Sequence, residues 1–397
     1  MSNFDLGGPV VIAGGGIGGL SLARALALRG CPSIVLEQAP EFGEIGAGIQ
    51  LGPNVDRMFA RLEVQDAMRD IAFYPQNLIM MDSVTREEIT RLPAGDTYRA
   101  HFGGPYGVIH RADLHNVLLE ACRSMPDLID LRAGTRVMGY SDTGAGVSVE
   151  IEDASPVEGV ALIGADGIWS KIRERIVGDG DPIVSGHIAY RAVLRIDEVP
   201  EILAPWMEDV VLWAGPKNHL VHYKLRRGEL FNIVAVFHSD RYVEGWDSHG
   251  DPEELFKRFA GTAPEVQALL DKIETWRMWV LCDRLPVRDW SKGRVALLGD
   301  AAHPMLQYLA AGAGMAMEDA VCIADTLEEN SGDIEKSFID YPEKRYLRTG
   351  RVQTTARYYG DIYHAAGVVR ELRNMAISGR DTEAAYKGME WLYKYPE

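Results

Sequence analysis

The stretch PVVIAGGGIGGLSLARALALRG, residues 9–30, decides the fold. Val10, Val11, Ile12 and Ala13 form an unbroken apolar run, the pattern of a parallel-sheet strand covered on both faces. Gly14, Gly16 and Gly19 then fit G-x-G-x-x-G. The first glycine permits a tight turn, the second lets backbone approach a pyrophosphate, and the third lets the next helix lie close on the strand. Leu20, Leu22, Ala23, Leu26 and Ala27 continue a helical face. The helix start offers free N–H groups and a positive dipole end to phosphate. A lone G-x-G-x-x-G is weak evidence. Here a second apolar run, Ser33–Leu36, ends in Glu37, eighteen residues past Gly19, where a carboxylate can accept hydrogen bonds from an adenosine ribose. An acid at that point predicts an unphosphorylated ribose, hence FAD or NAD rather than NADP.

Two later stretches repeat the strand-then-glycine pattern. ALIGADGIWSKIRERIVG (161–178) runs from an apolar strand into Asp166-Gly167 and then a helix with Ser170 and Arg173. Read alone, Asp166-Gly167 is equally an ordinary turn. GRVALLGDAAHPM (293–305) ends its strand, Val295–Leu298, at Asp300, which by itself is equally a helix cap. Behind it, MAMEDAVCIADTLEE reads as an amphipathic helix. All three sites stand at the carboxyl ends of predicted strands, where open α/β sheets place ligands.

The totals narrow the possibilities. The chain has 397 residues, 47% of them hydrophobic, enough for two domains or one large composite. With 41 Lys+Arg against 58 Asp+Glu the net charge is −17, which repels nucleic acid and anionic membrane. Cys31, Cys122, Cys282 and Cys322 are scattered without metal spacing and read as reduced thiols, so no metal site is expected from them. No segment reads as a signal peptide or a membrane span, and a cytoplasmic enzyme is the expectation.

The three ordered motifs resemble those of the FAD-dependent aromatic-ring monooxygenases of the para-hydroxybenzoate hydroxylase fold. The resemblance rests on Gly14-x-Gly16-x-x-Gly19 with Glu37, Gly164-Ala165-Asp166-Gly167 with Ser170 and Arg173, and Gly299-Asp300-Ala301-Ala302-His303 with Gly312-x-Gly314 and Asp319-Ala320. The tail beginning Tyr341-Pro-Glu343-Lys-Arg345 also fits. The resemblance implies an α/β fold: a Rossmann-like FAD-binding domain, an inserted antiparallel-sheet substrate domain and C-terminal helices. It also implies that Glu37 binds the adenosine ribose and Asp300 the ribityl chain. Asp166 and Gly167 would serve both FAD and a nicotinamide donor, since the family has no second nucleotide-binding fold. Gly312 and Gly314 would lie near the isoalloxazine. Arg111, in HRADLHNVLLEAC, would reach FAD phosphate, although on a helix it is equally a surface charge. The stretch GEIGAGIQLGPN (43–54) would flank the flavin, with Ala47, Gly48 and Gln50 closest.

The spacing predicts a discontinuous FAD-binding domain at 1–72, 104–180 and 285–335, a substrate-binding sheet at 73–103 and 181–284, and a helical region from 336 to 397. Within the insert, HIAYRAVLRI, DVVLWAGPKNHLVHYKL and ELFNIVAVFHS read as antiparallel strands with one wet face. His219, Val221 and Tyr223 share one face of their strand and His222 points the other way. Trp276, Trp279 and Trp290 read as sheet core rather than an aromatic box, and His303 as a local support for its loop.

Within that family HPMLQYLAAGAG, GGPYGVIHRADLH and NHLVHYKLRRGELFN look closest to the 3-hydroxybenzoate 6-hydroxylases; many relatives have proline where this chain has Gln307. The resemblance implies that His219 and Gln307 hold the phenolic oxygen, while Tyr106, Val221 and Tyr223 line the pocket. A reduced flavin meeting O2 forms a C4a-hydroperoxide, which delivers oxygen to an electron-rich ring. The 6-position lies para to the 3-hydroxyl, so the product would be 2,5-dihydroxybenzoate, gentisate. NADH, with NADPH as the alternative, would be the donor, and the protein a monomer or homodimer. The rival readings are a salicylate or 6-hydroxynicotinate hydroxylase, a flavin dehydrogenase without oxygen transfer, and a nucleotide-sensing module.

Overall fold

A computed structural model describes residues 5–43, 46–239 and 248–395. Glu44 and Ile45, within the stretch expected to flank the flavin, lie outside the described residues. Parallel pairing organises the nucleotide-binding half. Val10–Ala13 pairs in register with Ser33–Leu36 on one side and Ala161–Gly164 on the other, and Val295–Leu297 lies beyond the latter. Ile129–Arg132 and the short Ser291–Lys292 complete a six-stranded sheet. Gly14, Glu37, Asp166 and the Gly299–Ala301 turn therefore follow the carboxyl ends of four neighbouring strands. These strands are almost completely buried, as covered parallel strands must be. The helix Ile17–Ala27 packs on one face with the Gly312–Glu329 helix beside it.

An eight-stranded sheet forms the other half, built around the long strand Ile183–Arg195 and its antiparallel partners Leu230–His238 and Arg277–Asp283. Asn218–Leu225, Val210–Gly215, Asn77–Asp82 and Glu88–Pro93 extend it. This sheet does not have the expected wet face. Asn218–Leu225 and Leu230–His238 are buried on both sides. Tyr190, Leu220, Ile233 and Phe237 pack beneath the helices Pro252–Arg258 and Pro264–Leu270. The opposite face looks into the molecule, at the flavin-type half and the 30-residue helix Ile334–Tyr363.

The Gly312–Glu329 helix departs from the amphipathic expectation too, because Gly314 through Val321 are all buried. Its flanks are covered by Ile17–Ala27, Pro53–Arg61 and Ile334–Tyr363, which leave it no solvent face over that length. The three tryptophans stand apart. Trp276 belongs to the core beside Tyr190, Trp290 lies against His303 and Tyr341, and Trp279 faces the interior beneath Arg191. Among the described residues no helix is long and apolar enough to cross a membrane.

Candidate active site

The glycine motif is set by contacts that exclude side chains. Gly14 has φ +115°, and a Cβ there would stand 2.2 Å from the Ala165 carbonyl oxygen. A Cβ on Gly19 would stand 2.0 Å from the Gly14 carbonyl oxygen. The first and third glycines thus let the Ile17–Ala27 helix, the Val10–Ala13 strand and the end of the Ala161–Gly164 strand meet. Gly16 caps the helix in extended geometry. The Glu37 carboxylate accepts from Gly15 N (2.8 Å) and Ala39 N (2.8 Å), which fixes it at the strand end.

Asp166 and Arg173 tie the second motif to the third. One Asp166 oxygen accepts from Lys171 N (2.9 Å), whereas Oδ1 is buried without a partner, and burial raises its carboxyl pKa. Gly167 has φ +75° with open space around it. Buried Arg173 donates to the Ala301 and Ala302 carbonyls at 2.8 and 2.5 Å and pairs with Asp179 at 2.7 Å. Gly299 turns with φ +61°, and Asp300 stands exposed beyond it. A Cβ on Gly312 would lie 3.9 Å from Asp300 Oδ1, so the aspartate and the helix start face one another. Gly314 serves a different purpose: its Cβ would strike Val55 at 2.8 Å, so it permits a helix crossing. Just before this helix Ala310 sits at φ 49°, a left-handed conformation uncommon for a non-glycine residue and frequent at functional turns.

His303 Nε2 lies 2.5 Å from Asp319 Oδ2, both fully buried, and this supports the loop from behind. Arg111 begins its helix and donates its backbone N–H to the Ala47 carbonyl (2.9 Å). Gly48 N donates to Asn232 Oδ1 (2.8 Å), leaving the buried Asn232 Nδ2 without a partner. A Cβ on Gly48 would fall 2.6 Å from the Tyr223 ring, so this strand runs directly over the sheet.

The inward sheet face carries the substrate candidates. His219, Val221 and Tyr223 pair across with Val236, Val234 and Asn232, which in turn oppose Ala189, Arg191 and Val193. His222 turns to the opposite core, where Trp213 Nε1 donates to it (3.1 Å), and burial lowers its pKa to about 3. Tyr106 donates to Gln50 Oε1 (2.6 Å), and Tyr223 also hydrogen-bonds Gln50. Burial raises both phenols, so they remain protonated donors. Gln50, expected beside the flavin, thus joins two pocket tyrosines through its side chain.

No hydrogen bond joins His219 and Gln307; Tyr308, next to Gln307 in the chain, has its ring centroid 5.6 Å from His219. His219 Nδ1 lies 2.7 Å from His364 Nε2, and burial followed by His187 holds His219 near pKa 3, a neutral imidazole. Gln307 Oε1 accepts from Arg191 Nη2 at 2.6 Å. Because arginine only donates, that bond fixes the amide with its NH2 free for another acceptor.

Arg191 is the residue sequence reading missed. Its Nε is buried without a partner and it has no ion pair among the described residues; burial, with Arg111 nearby, lowers its pKa. Its guanidinium sits 5.4 Å from the Trp279 ring and lines a cavity of about 720 Å³ with Gly46, Ala47 and Val193. The available signal was an arginine alternating with Ala189 and Val193 on an inward face.

This arrangement sets three strand-end motifs of the dinucleotide-binding type beside an inward sheet face that carries His219, Val221, Tyr223 and Arg191. The chain belongs to the FAD-binding domain family, whose model matches residues 8–352. It is 45% identical over 394 residues to the 3-hydroxybenzoate 6-hydroxylase of Polaromonas naphthalenivorans (strain CJ2), covering 99% of this chain and 97% of that one. Among solved structures it resembles HpxO of Klebsiella pneumoniae complexed with FAD and uric acid (TM-score 0.84, 26% identity, 98% and 97% covered). It also resembles a salicylate hydroxylase substrate complex (TM-score 0.83, 25% identity, 99% and 96% covered). The protein is an FAD-dependent monooxygenase, and its residues fit the cofactor: the glycine crossing has no room for side chains, Glu37 is fixed at the strand end, and Asp166 keeps a buried oxygen unsatisfied.

Proposed function

We infer that this chain hydroxylates 3-hydroxybenzoate at position 6, giving 2,5-dihydroxybenzoate while consuming one O2, one NADH (or NADPH) and one proton and releasing water. The observation that carries this reading is a half-buried cation without a carboxylate partner, Arg191, on the same inward face as neutral His219 and bonded to Gln307. A charge partly withdrawn from water without a counter-ion is costly, and an anionic ligand relieves it. An aromatic acid with a phenolic hydroxyl meets both needs.

Glu37, Gly14, Gly16, Gly19, Arg111, Asp166 and Asp300 would hold FAD, with Ala47, Gly48, Gly167 and Gly312 giving close backbone approach. Bound and reduced by the nicotinamide donor, FAD supplies the activation of dioxygen. The protein's own part is to orient and polarise the phenol. In its neutral state His219 donates Nδ1–H to His364 Nε2, leaving Nε2 to accept a hydrogen bond from the phenolic O–H. Gln307 donates its free NH2 to the same oxygen, stabilising the phenolate that directs attack to the para position. Arg191 supports the substrate carboxylate, with Tyr106 and Tyr223, bridged by Gln50, and Val221 shaping the wall.

Oxygen and NADH consumption against a panel of hydroxybenzoates tests this, with gentisate, catechol, CO2 and H2O2 as readouts. Gentisate from 3-hydroxybenzoate is expected. Catechol with CO2 from salicylate would replace the substrate assignment, and H2O2 as sole oxygen product would replace the reaction. His219→Ala and Gln307→Ala should keep yellow FAD and lose at least ten-fold in hydroxylation; wild-type product yield in both would overturn their roles.

A further inference from the structure

We propose that His187, His238 and His364 form a binding site for a first-row transition-metal cation such as Zn2+. His187 and His238 are directly opposed across adjacent strands, and His364 caps the C-terminal end of the Ile334–Tyr363 helix above them. One ring nitrogen from each lies within 4.8 Å of the other two. His238 Nε2 and His364 Nδ1 are 3.0 Å apart. Two imidazole nitrogens on one tetrahedral zinc stand roughly 3.3 Å apart, so the closest pair needs little adjustment.

Metal-bound histidines use their second nitrogen for an orienting hydrogen bond. Two of these three have one: the Tyr308 hydroxyl meets His187 Nδ1 at 2.5 Å, and His219 Nδ1 meets His364 Nε2 at 2.7 Å. His187 and His238 are half-buried rather than sealed, so an ion has an entry. Burial depresses all three below the usual imidazole range, which keeps them in the neutral form a metal binds. Lys217 and Arg258 oppose an added cation beside His238, and Asp361 offsets them.

Metal on His364 Nδ1 requires His364 Nε2–H to donate to His219 Nδ1. That is the reverse of the direction used to accept the phenolic hydrogen bond, so the loaded enzyme should hydroxylate more slowly. This consequence rests on the proposed function; the site itself does not.

The test uses FAD-loaded enzyme without substrate. After dialysis against Zn2+ and then metal-free buffer, about one zinc per chain is expected. Co2+ should give an intense tetrahedral band to the red of the flavin absorption. His187→Ala combined with His238→Ala should weaken binding at least ten-fold while FAD content is retained. Should that variant fail to fold, X-ray absorption on zinc-loaded wild type must show three imidazole nitrogens. Zinc retention equal in wild type and variant, an octahedral cobalt spectrum, or fewer than three imidazoles would overturn the site. One zinc per chain with unchanged hydroxylation would leave the site standing and sink the hydrogen-bond-accepting role of His219.

Discussion

Two interior-facing arginines of this molecule live under opposite electrostatic regimes. Arg345 is fully buried and paired with Asp319 (2.7 Å) and Glu318 (2.6 Å), which outweigh the burial opposing its charge and hold its pKa well above the ordinary value. Arg191 is half-buried, and it meets only an amide oxygen and an indole face, with its pKa lowered. Arg345 is complete within the fold. Arg191 has no ion pair among the described residues, and under the proposed function that difference separates a structural ion cluster from a binding group.

Breaking the first arginine should have the largest effect. Arg345→Met leaves Asp319 and Glu318 facing one another without their shared cation and is expected to cost about 3–5 kcal/mol. The Gly312–Glu329 helix, which lies behind the Asp300 turn, would loosen, so FAD should dissociate more readily. Chemical denaturation and flavin release check this; a variant with wild-type stability would mean that Arg348, which also donates to Glu318 (2.7 Å), carries the cluster alone.

Arg191→Met should behave in the opposite way. Nothing in the fold needs that charge, so stability should hold or rise while FAD stays bound. Hydrogen bonds to charged groups contribute about 1.5–3 kcal/mol, so kcat/KM for 3-hydroxybenzoate should fall roughly 10- to 150-fold. A loss confined to neutral phenols, with the benzoate unaffected, would remove Arg191 from carboxylate binding. The same variant should also free the Gln307 amide to rotate, which Arg191→Lys would partly prevent.

The contrast also explains what was legible in the chain. Gly14, Gly19, Glu37 and Gly299 are readable because backbone geometry imposes residue type locally, within a few positions of a strand end. His303 and Asp319 sit sixteen residues apart in one motif and meet as neighbours. Arg191 was hidden because the expected wet sheet face gave a strand arginine an ordinary explanation, whereas that face in fact looks inward. The histidine cluster was hidden for a different reason: His187, His219, His238 and His364 are joined only by strand register and by the end of a helix more than a hundred residues away from His219. Local pattern carries no record of such pairing.

A pH titration sharpens the structural side. Burial opposes ionisation of Asp319, but His303 and Arg345 outweigh it and hold the carboxyl below the usual range. A depressed folded pKa means its stabilisation is complete above the unfolded value, near pH 4, and is lost as pH falls through the lower folded value. Asp319→Asn should therefore cost about 1–3 kcal/mol at neutral pH and flatten the decline in stability below pH 4. An unchanged acid slope, measured by denaturant midpoints between pH 3 and 7, would show that other carboxylates dominate.

The smallest effect probes the functional side at its edge. Tyr106→Phe removes one donor to Gln50 Oε1, yet Tyr223 still reaches the same amide, so the wall keeps its shape and loses one of two bridges. A neutral hydrogen bond contributes about 0.5–1.5 kcal/mol, which predicts a two- to twelve-fold rise in KM with little change in kcat. That split matters because a pocket-wall tyrosine affects ground state and transition state alike, whereas a group acting on the phenolic oxygen affects kcat. If Tyr106→Phe lowered kcat as much as Gln307→Ala does, Tyr106 would have to act at the reacting oxygen, and the carboxylate end assigned to Arg191 would need to be reversed within the pocket.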